Sequence, residues 1–517
     1  MKPRFSIIMP VYNPNPEHLS QALNSVLAQN YPHWELCIAD DASSDPAVAD
    51  ILDDYARRDA RIKVKRRKVN GHICAASNTA LGMALGDYAV FMDHDDLLVG
   101  EALALVALAL DREPRTRILY SDEDKFNENG IFFSPYFKPA FDPDLLCGQN
   151  YFNHLSVYDI TLLRQVGGLR PGFEGAQDHD LALRCVNLVS PDEIMHLPYI
   201  LYHWRLHDKS TANSPQAKNY AADAGLRAVG EHLEGLGRKV LVNKHVRCAT
   251  HYQVRPLVGQ TRVSLLAFCQ NLPPRFDMWA SIVMKKSAKA DLSLHIFHDQ
   301  EATTRSRNAA VYCAPFDPEA VQDLVQSLSG SIIGCLGLGL LPFETDWLDM
   351  LAAEAGRPEV GAVGARIWSQ NRVLENAGFG ITRKGRIFAD HEGLAFHKLP
   401  YFNQPHLLHA TAFLSADCLF ARAEVFSRLF RPETNRLWPL EFCMLARANG
   451  LRVICSPEAD LYRMSGYEPH SPPQPEDADM AAFLARWQEE LPQIMLHSAL
   501  TPVPGGYRQD DLRPEEA

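Results

Sequence analysis

The first 110 residues alternate short apolar runs with amphipathic stretches. Phe5 to Pro10 is a run of β-favouring residues, and Pro16 to Ala28 places Leu19, Leu23, Val26 and Leu27 at helical spacing. Trp34 to Ala39 reads as a second strand, Ala47 to Arg58 as a helix and Ile62 to Arg66 as a third strand. Ala75 to Leu85 then reads as a helix and Tyr88 to Met92 as a fourth strand. This alternation predicts an α/β fold, a largely parallel sheet wrapped by helices. Polar residues gather where the strands end: Tyr12 and Asn13, then Asp40 and Asp41, then Asp93, Asp95 and Asp96. Ligands of open α/β sheets bind outside the carboxyl ends of the strands, so these clusters are candidates for one site.

The pattern repeats. Ser6 to Asn13 falls on Ser264 to Asn271, and at the same offset Ile38 to Asp41 falls on Ile296 to Asp299. Gly86 and the strand leading to Leu98 fall on Gly330 and the strand leading to Pro342. The offsets differ between blocks, as in a diverged duplication with altered loops. Two related domains are expected, 1–250 and 255–490, followed by a tail, 491–517. Pro469 to Pro475 reads as a loop, and the stretch from Thr501 as a frayed end.

Composition narrows what the halves can be. The 517 residues include 51 Lys plus Arg against 63 Asp plus Glu, a formal net charge of -12, whereas a nucleic-acid footprint is usually basic. With 46% hydrophobic and 22% charged residues the chain has ample core, which excludes disorder and fibre. The 11 Cys show no CxxC pair and no regular spacing, which argues against a disulfide framework or structural zinc and for a reducing compartment. No segment reaches the roughly 18 uninterrupted apolar residues of a membrane span. The nearest, Leu97 to Leu110 and Ile332 to Phe343, read as core. The amino terminus enters a strand without a signal-like apolar region. A cytoplasmic protein is expected, with at most peripheral contact at the inner face of the cell membrane.

Val90-Phe91-Met92-Asp93-His94-Asp95-Asp96 puts an apolar strand directly before an acidic cluster. Carboxylates so close repel one another, and a hard divalent cation relieves the repulsion while leaving positions open for phosphate oxygens. A solvated loop or cap accounts for the same acids without a ligand. Taken with Ser6 to Asn13, Asp40 to Asp45, Asn70-Gly71 through Asn78, Gly86-Asp87-Tyr88 and Gly175 to Leu181, this segment resembles glycosyltransferase family 2. Tyr120 to Lys125 and Leu201 to Arg205 are similar to stretches of the tandem enzymes that build bacterial surface polysaccharides such as O-antigens. The resemblance is close over the first 250 residues and loose over the second half.

The resemblance implies a GT-A fold (Rossmann-like, of the nucleotide-diphospho-sugar transferases), duplicated, with a degenerate second copy. It also implies inverting transfer of a sugar from a nucleotide-sugar donor to a hydroxyl of a growing, lipid-linked bacterial surface glycan. By that resemblance Pro10, Tyr12, Asn13, Asp41, Asn78 and Asp93 bind the donor nucleotide. Asp93, Asp95 and His203 hold manganese or magnesium, and Asp178 is the base. A His in Tyr-His-Trp is otherwise a packed core histidine, and Gln177-Asp178-His179-Asp180 otherwise a helix start where acids meet the dipole. Asp122, Glu123, Asp124, Gln177 and Trp204 are candidates for acceptor contact; for the three acids an exposed polar turn is the alternative. One departure from the family is Ser77, where Arg is common before the Asn, and it weakens a basic donor contact there.

Arg57 to Lys68 contain eight basic residues, which suit acidic lipid headgroups or a lipid-linked diphosphate, or else a solvated face of helix and edge strand. In the second half Gly337-Leu338-Gly339-Leu340 stands where the first has Asp93 to Asp96. Pro439 and Glu441 replace Asp178 and Asp180, and Tyr462-Arg463 replaces Tyr202-His203, while Asp299 remains opposite Asp41. An inactive copy is expected. Two rival functions stand beside sugar transfer. A nucleotidyltransferase usually needs a glycine-rich basic phosphate loop near the first strand, and Pro10 to Pro16 has neither glycine nor base. A non-catalytic glycan-binding or scaffold protein of a polysaccharide assembly complex is disfavoured by the intact acids of the first half.

Overall fold

Seven consecutive buried residues, Phe5–Val11, form the first strand of a computed structural model and lie inside a nine-stranded sheet. The structure describes residues 5–206, 215–259, 261–269, 272–273, 275–288, 290–298, 311–315, 317–328, 330–431, 437–468, 474–504 and 506–509. Two units emerge, one of Met1–Arg238 and Val242–Gln253, the other of Lys239–Leu241 and Val254–Ala517. Gln270, Asn271, Asp299 and residues 469–473, which the sequence pattern singles out, lie outside the described residues.

The first unit runs β1 (Phe5–Val11), α1 (Pro16–Leu27), β2 (Trp34–Asp40), α2 (Pro46–Arg58), β3 (Ile62–Arg66), α3 (His72–Leu81), β4 (Tyr88–Phe91) and β5 (Leu97–Leu98). It continues with α4 (Ala102–Arg112), β6 (Ile118–Phe126), β7 (Phe132–Tyr136), α5 (Pro143–Gly148), β8 (Ser156–Asp159), α6 (Ile160–Gln165), α7 (Gln177–Val186) and β9 (Ile194–Arg205). Local chemistry fixes the early helices: Asn15 and Asp45 accept backbone N–H groups at the N-caps of α1 and α2, each followed by a proline at the first helical position. Leu19, Ala22, Leu23 and Val26 then bury one stripe of α1 under the sheet. The strand order is β3-β2-β1-β4-β8-β6-β9-β5, with β7 beside β6. β1 is parallel to β2 and β4, so their carboxyl ends deliver Tyr12, Asp41 and Asp93 to one edge.

The second unit repeats this order strand for strand: Val311–Pro315, Asp291–His298, Arg262–Cys269, Ile332–Leu336, Cys418–Arg422, Val360–Trp368, Arg452–Arg463, Leu340–Pro342. Val263 to Leu266 pair with Ile332 to Cys335 as Phe5 to Ile8 pair with Tyr88 to Phe91. The duplication is therefore structural as well as sequential. Along the ungapped segments that follow, Leu97 corresponds to Leu341, and these face His203 and Tyr462. Tyr462, not Arg463, thus occupies the place of His203, a shift of one residue from the sequence alignment.

Three further expectations change. The helix expected over Ala75 to Leu85 is α3, His72–Leu81, because the Asn70 side chain accepts the His72 N–H and starts it early. Asp122, Glu123 and Asp124 are not a polar turn but buried residues of β6, each paired inside the unit. The stretch from Thr501 is not wholly frayed: Leu500–Val503 pairs with Gly506–Gln509, and the Tyr507 hydroxyl bonds Asp390. Its Pro and Gly residues make a hairpin turn as readily as a loose end.

A buried acid ties three strands of the first unit together. Glu35 is 2% exposed and accepts the Ser6 hydroxyl (2.6 Å), the Lys63 ammonium (2.5 Å) and the Leu85 and Gly86 N–H groups (2.6 and 3.1 Å). Burial alone would raise this carboxyl, but Lys63 and Ser6 outweigh it and hold it below its ordinary value. Glu35→Leu should lower unfolding free energy by about 3 kcal/mol in denaturant titrations, since it strands buried donors. Because the folded pKa is depressed, the Glu35 contribution should be present above the ordinary glutamate range and fade as pH falls through the folded value.

Candidate active site

β4 is apolar to its last residue, and the chain turns sharply after it because other elements seize the turn. The Asp93 N–H donates to the Tyr202 hydroxyl (3.1 Å), which itself donates to Asp96 Oδ2 (2.6 Å). Asp96 Oδ1 accepts the Arg205 N–H (2.7 Å). The Arg205 guanidinium reaches the Asp95 carbonyl (2.6 Å) and Gln21 (2.7 Å). β9 thereby bolts the acidic turn from behind. Burial, then the charges of Asp95 and Asp178, push the Asp93 carboxyl up to about 8.

Asp93, Asp96 and His154 bring ligand atoms within 4.8 Å of one another, the one such group among the described residues. This differs from the trio of Asp93, Asp95 and His203. His203 and Asp124 are directly opposed on β9 and β6, and His203 Nδ1 lies 2.5 Å from Asp124 Oδ1. The His203 ring also packs on Phe132, with centroids 4.5 Å apart. His154 has no sequence signal, being a lone histidine in a loop. Its ring stacks on Tyr202 at 4.6 Å, and burial, then the nearby Lys138, pushes its imidazole down to about 3, so it is neutral at ordinary pH.

On the side of β1 and β2, Pro10 is buried in its strand and Tyr12 is 48% exposed. Asn13 cross-links the strand ends, donating its N–H to Ser43 Oγ (2.9 Å) and accepting the Ser44 N–H (2.8 Å). Asp41 is buried and accepts Arg67 Nε (2.6 Å) and the Gly71 N–H (3.0 Å). Arg67 also holds Thr79 (2.7 Å), tying Asp41 to α3. In the sequence this arginine is one of a basic run. Within that run Arg57 and Arg58 pair with Asp54, Arg61 with Asp59, Lys63 with Glu35 and Arg66 with Asp53, so much of it is neutralised internally. Asn78 spends its amide on Leu169, donating to the carbonyl (2.7 Å) and accepting the N–H (2.9 Å).

Asp178 sits in the first turn of α7. It is not the N-cap: that position is Ala176, which has no side-chain cap bond. Asp178 Oδ2 accepts Gln177 Nε2 (2.8 Å), and the nearby Asn153 amide also favours its ionised form. Burial outweighs these bonds and raises the carboxyl to about 6. Asp180, two residues on, is structural: it holds Arg170 and Arg184. Gln177 Oε1 is buried without a hydrogen-bond partner. Asp122 accepts the Lys138 N–H and faces His196, both at 2.8 Å. Trp204 lies under the Lys125 ammonium, 4.7 Å from the ring centroid.

In the second unit the register puts Gly337 to Leu340 where the acidic turn stands. Arg463 pairs there with Asp417 and Glu375, each at 2.8 Å, and Asp417 lies so close to Gly337 that a Cβ would meet its Oδ1 at 2.3 Å. The helix Trp438–Ala448 offers Pro439 at the second position, and its Glu441 accepts Trp487 Nε1 (3.0 Å).

Residues 6–161 match the family model of glycosyl transferase family 2. The first unit carries a glycosyltransferase family 2 domain. Over 481 residues the chain is 35% identical to the Sinorhizobium fredii protein y4gI, an alignment covering 89% of this chain and 53% of that one. It is 31% identical over 484 residues to the O-antigen biosynthesis protein RfbC of Myxococcus xanthus, covering 89% of this chain and 37% of that one. Over 127 residues it is 35% identical to WfgD of Escherichia coli, named a UDP-Glc:alpha-D-GlcNAc-diphosphoundecaprenol beta-1,3-glucosyltransferase, covering 24% and 48% of the two chains. The chain spans about half the length, or less, of these relatives. Among the described residues no helix is long and apolar enough to cross a membrane.

The raised Asp178 carboxyl makes a stability prediction. The folded chain keeps this proton up to about pH 6, whereas an unfolded aspartate releases it near 3.8, so the group destabilises the fold increasingly across that interval and fully above it. Asp178→Asn should therefore melt at a higher temperature than the parent at pH 8 in metal-free buffer, with the gain shrinking toward pH 4. A lower melting temperature at pH 8 would contradict the placement of this carboxyl.

Proposed function

We propose that the first unit is an inverting glycosyltransferase that moves a sugar from a nucleotide-sugar donor to a hydroxyl of a growing, lipid-linked surface glycan. The observation carrying this reading is a pair of differently treated acids at one strand-end site. Asp93 belongs to a like-charged cluster, while Asp178, raised to about 6, has amides as its described partners and keeps its basicity. The family 2 domain supports sugar transfer. The name of RfbC supports a surface polysaccharide, and the name of WfgD a lipid-diphosphate acceptor.

The acids fit a divalent cation, manganese or magnesium, because their mutual repulsion is what raises Asp93 beyond its burial. Asp93 and Asp95 would hold it, with Asp96 and His154 beside Asp93; His203 would have to give up Asp124 to join them. Bound there, the cation would neutralise charge developing on the donor diphosphate. Tyr12 and Asp41 would meet the nucleoside, with Pro10 and Asn13 shaping the strand ends. Asp178 takes the proton of the acceptor hydroxyl as that oxygen attacks the anomeric carbon from the face opposite the leaving diphosphate, and one such displacement inverts the centre. A carboxyl near 6 is ionised at neutral pH yet more basic than an ordinary aspartate. The Gln177 oxygen, buried without a partner, would accept from an acceptor hydroxyl.

The second unit, on this reading, supports the first without catalysis, since Gly337 to Leu340 offer no side-chain oxygen and Pro439 cannot take a proton. A cytoplasmic site of action, peripheral to the membrane, suits such an acceptor.

Two measurements test the proposal. Transfer should vanish in excess chelator, and Asp95→Asn should lower it by orders of magnitude together with metal-dependent donor binding; full activity in chelator would sink the metal assignment. Asp178→Asn should keep donor binding but lose about 100-fold to 10,000-fold in turnover, the range of a lost general base. Product with retained anomeric configuration would rule out the single displacement.

A further inference from the structure

We propose that Gln177 selects the acceptor by taking a hydrogen bond, at its side-chain oxygen, from an O–H or N–H group next to the hydroxyl that is glycosylated; the inference deepens the proposed function and rests on Asp178 being the base. The two residues open α7 side by side, and Gln177 Nε2 donates to Asp178 Oδ2 at 2.8 Å. An ionised carboxylate accepts hydrogen bonds and donates none, so the amide nitrogen faces Asp178 and the amide oxygen faces away from it. That oxygen, Oε1, is buried with no hydrogen-bond partner, and the whole residue is only 7% exposed.

A buried oxygen left unpaired has given up water without a protein bond to replace it, which destabilises the fold. An amide kept only to steady a neighbour has its other end bonded as well: Asn78 engages Leu169 with both its nitrogen and its oxygen. Gln177 bonds the base with one end and leaves the other without a partner. Oxygen and nitrogen of one amide share a carbon, so Oε1 is held a short, fixed step from the group that bonds Asp178. Hydroxyl oxygens on neighbouring carbons of a sugar ring are themselves about one hydrogen-bond length apart, roughly 2.9 Å. A ring that offers one hydroxyl to the partly exposed Asp178 therefore brings its neighbour to Gln177. The neighbour has to carry a hydrogen, because an ether oxygen would meet Oε1 lone pair against lone pair. The acceptor class follows: a secondary ring hydroxyl with a free hydroxyl or an N-acetyl group on the next carbon. The exocyclic primary hydroxyl of a hexopyranose is excluded, since the carbon next to it carries the ring oxygen.

The experiment gives the whole chain manganese, a set of UDP-, GDP- and dTDP-sugars, and octyl glycosides of glucose, galactose, N-acetylglucosamine and rhamnose as acceptors. For a glycoside that is used, the linkage of the product identifies the reacting hydroxyl, and deoxy analogues then remove its neighbours one at a time. Loss of one neighbour should lower kcat/KM about 10-fold to 100-fold, as stranding a buried oxygen does, while a deoxy change further round the ring should stay within about threefold. Gln177→Leu has a similar volume and no oxygen, and should use the neighbour-deoxy analogue and the full sugar alike, within about threefold. That reading is a ratio inside one variant, so a general loss of activity does not disturb it. Thermal stabilisation by UDP or GDP with manganese should match the parent. Where Gln177→Leu fails to fold, the deoxy series on the parent chain decides by itself. Equal use of the full sugar and both neighbour-deoxy analogues by the parent, transfer to a primary hydroxyl, or undiminished discrimination in Gln177→Leu would each overturn the proposal. Full transfer by Asp178→Asn overturns the base assignment as well, whereas an inactive Asp178→Asn beside a parent indifferent to the neighbouring group overturns this inference alone.

Discussion

Repulsion among carboxylates is the constraint around which the first unit is arranged. Asp93, Asp95 and Asp96 leave one strand within four residues, and the charge of Asp178 reaches Asp93 from another helix. Such a group is stable only if its geometry is imposed from outside, because each acid gains by moving away from the next. The imposition comes from β9, which the strand order places between β6 and β5. Tyr202 and Arg205 each hold one oxygen of Asp96, so this acid anchors the turn while lying beside Asp93 and His154. Asp93 is held by its backbone N–H alone in that bolt, which leaves its side chain directed at the cluster.

The second unit shows what the same sheet does without that constraint. Its strands follow the same order, yet its half-buried acids Asp417 and Glu375 close on the Arg463 guanidinium, a cation supplied by its own long strand. The guanidinium sits between the two carboxylates and offsets much of their repulsion from within the chain. Where the first unit spends a turn of acids, the second has two glycines, and the space beside Gly337 is filled by Asp417. The two units are one architecture with opposite electrostatic solutions at the same strand ends, and that contrast is a better reason for assigning chemistry to the first than the loss of any single residue.

The sequence made the sheet legible where burial was complete. β1 and β2 are buried at every position, so their apolar runs could be read within a residue of their ends. The acidic turn stood out because three carboxylates follow one apolar strand, whereas Asp178 was singled out only by the family resemblance. What stayed hidden depends on long-range pairing. His154 and Lys138 lie in two separate loops with no periodicity, and Arg67 looked like one base among eight until Asp41 was found beside it. Asp122 to Asp124 suggested acceptor contact or an exposed turn, because three acids in a row contradict any simple strand pattern. They are buried in β6 because each has a partner from elsewhere: Asp122 has His196, Glu123 has Lys138 and Asp124 has His203.

Two residues expected to touch the donor also brace the site from within. Asn78 joins α3 to Leu169, on the chain that leads into α7 and Asp178. Asp41, through Arg67, joins the end of β2 to the same helix α3. The end of β2 and the segment before α7 therefore share one mechanical support, since both are tied to α3. A substitution at Asn78 disturbs the path of the loop before α7, because its amide holds both the N–H and the carbonyl of Leu169. The loss of the usual arginine at Ser77 is answered from a different direction: the guanidinium near this helix comes from Arg67 at the end of β3, and it is spent on Asp41 rather than held out toward a phosphate.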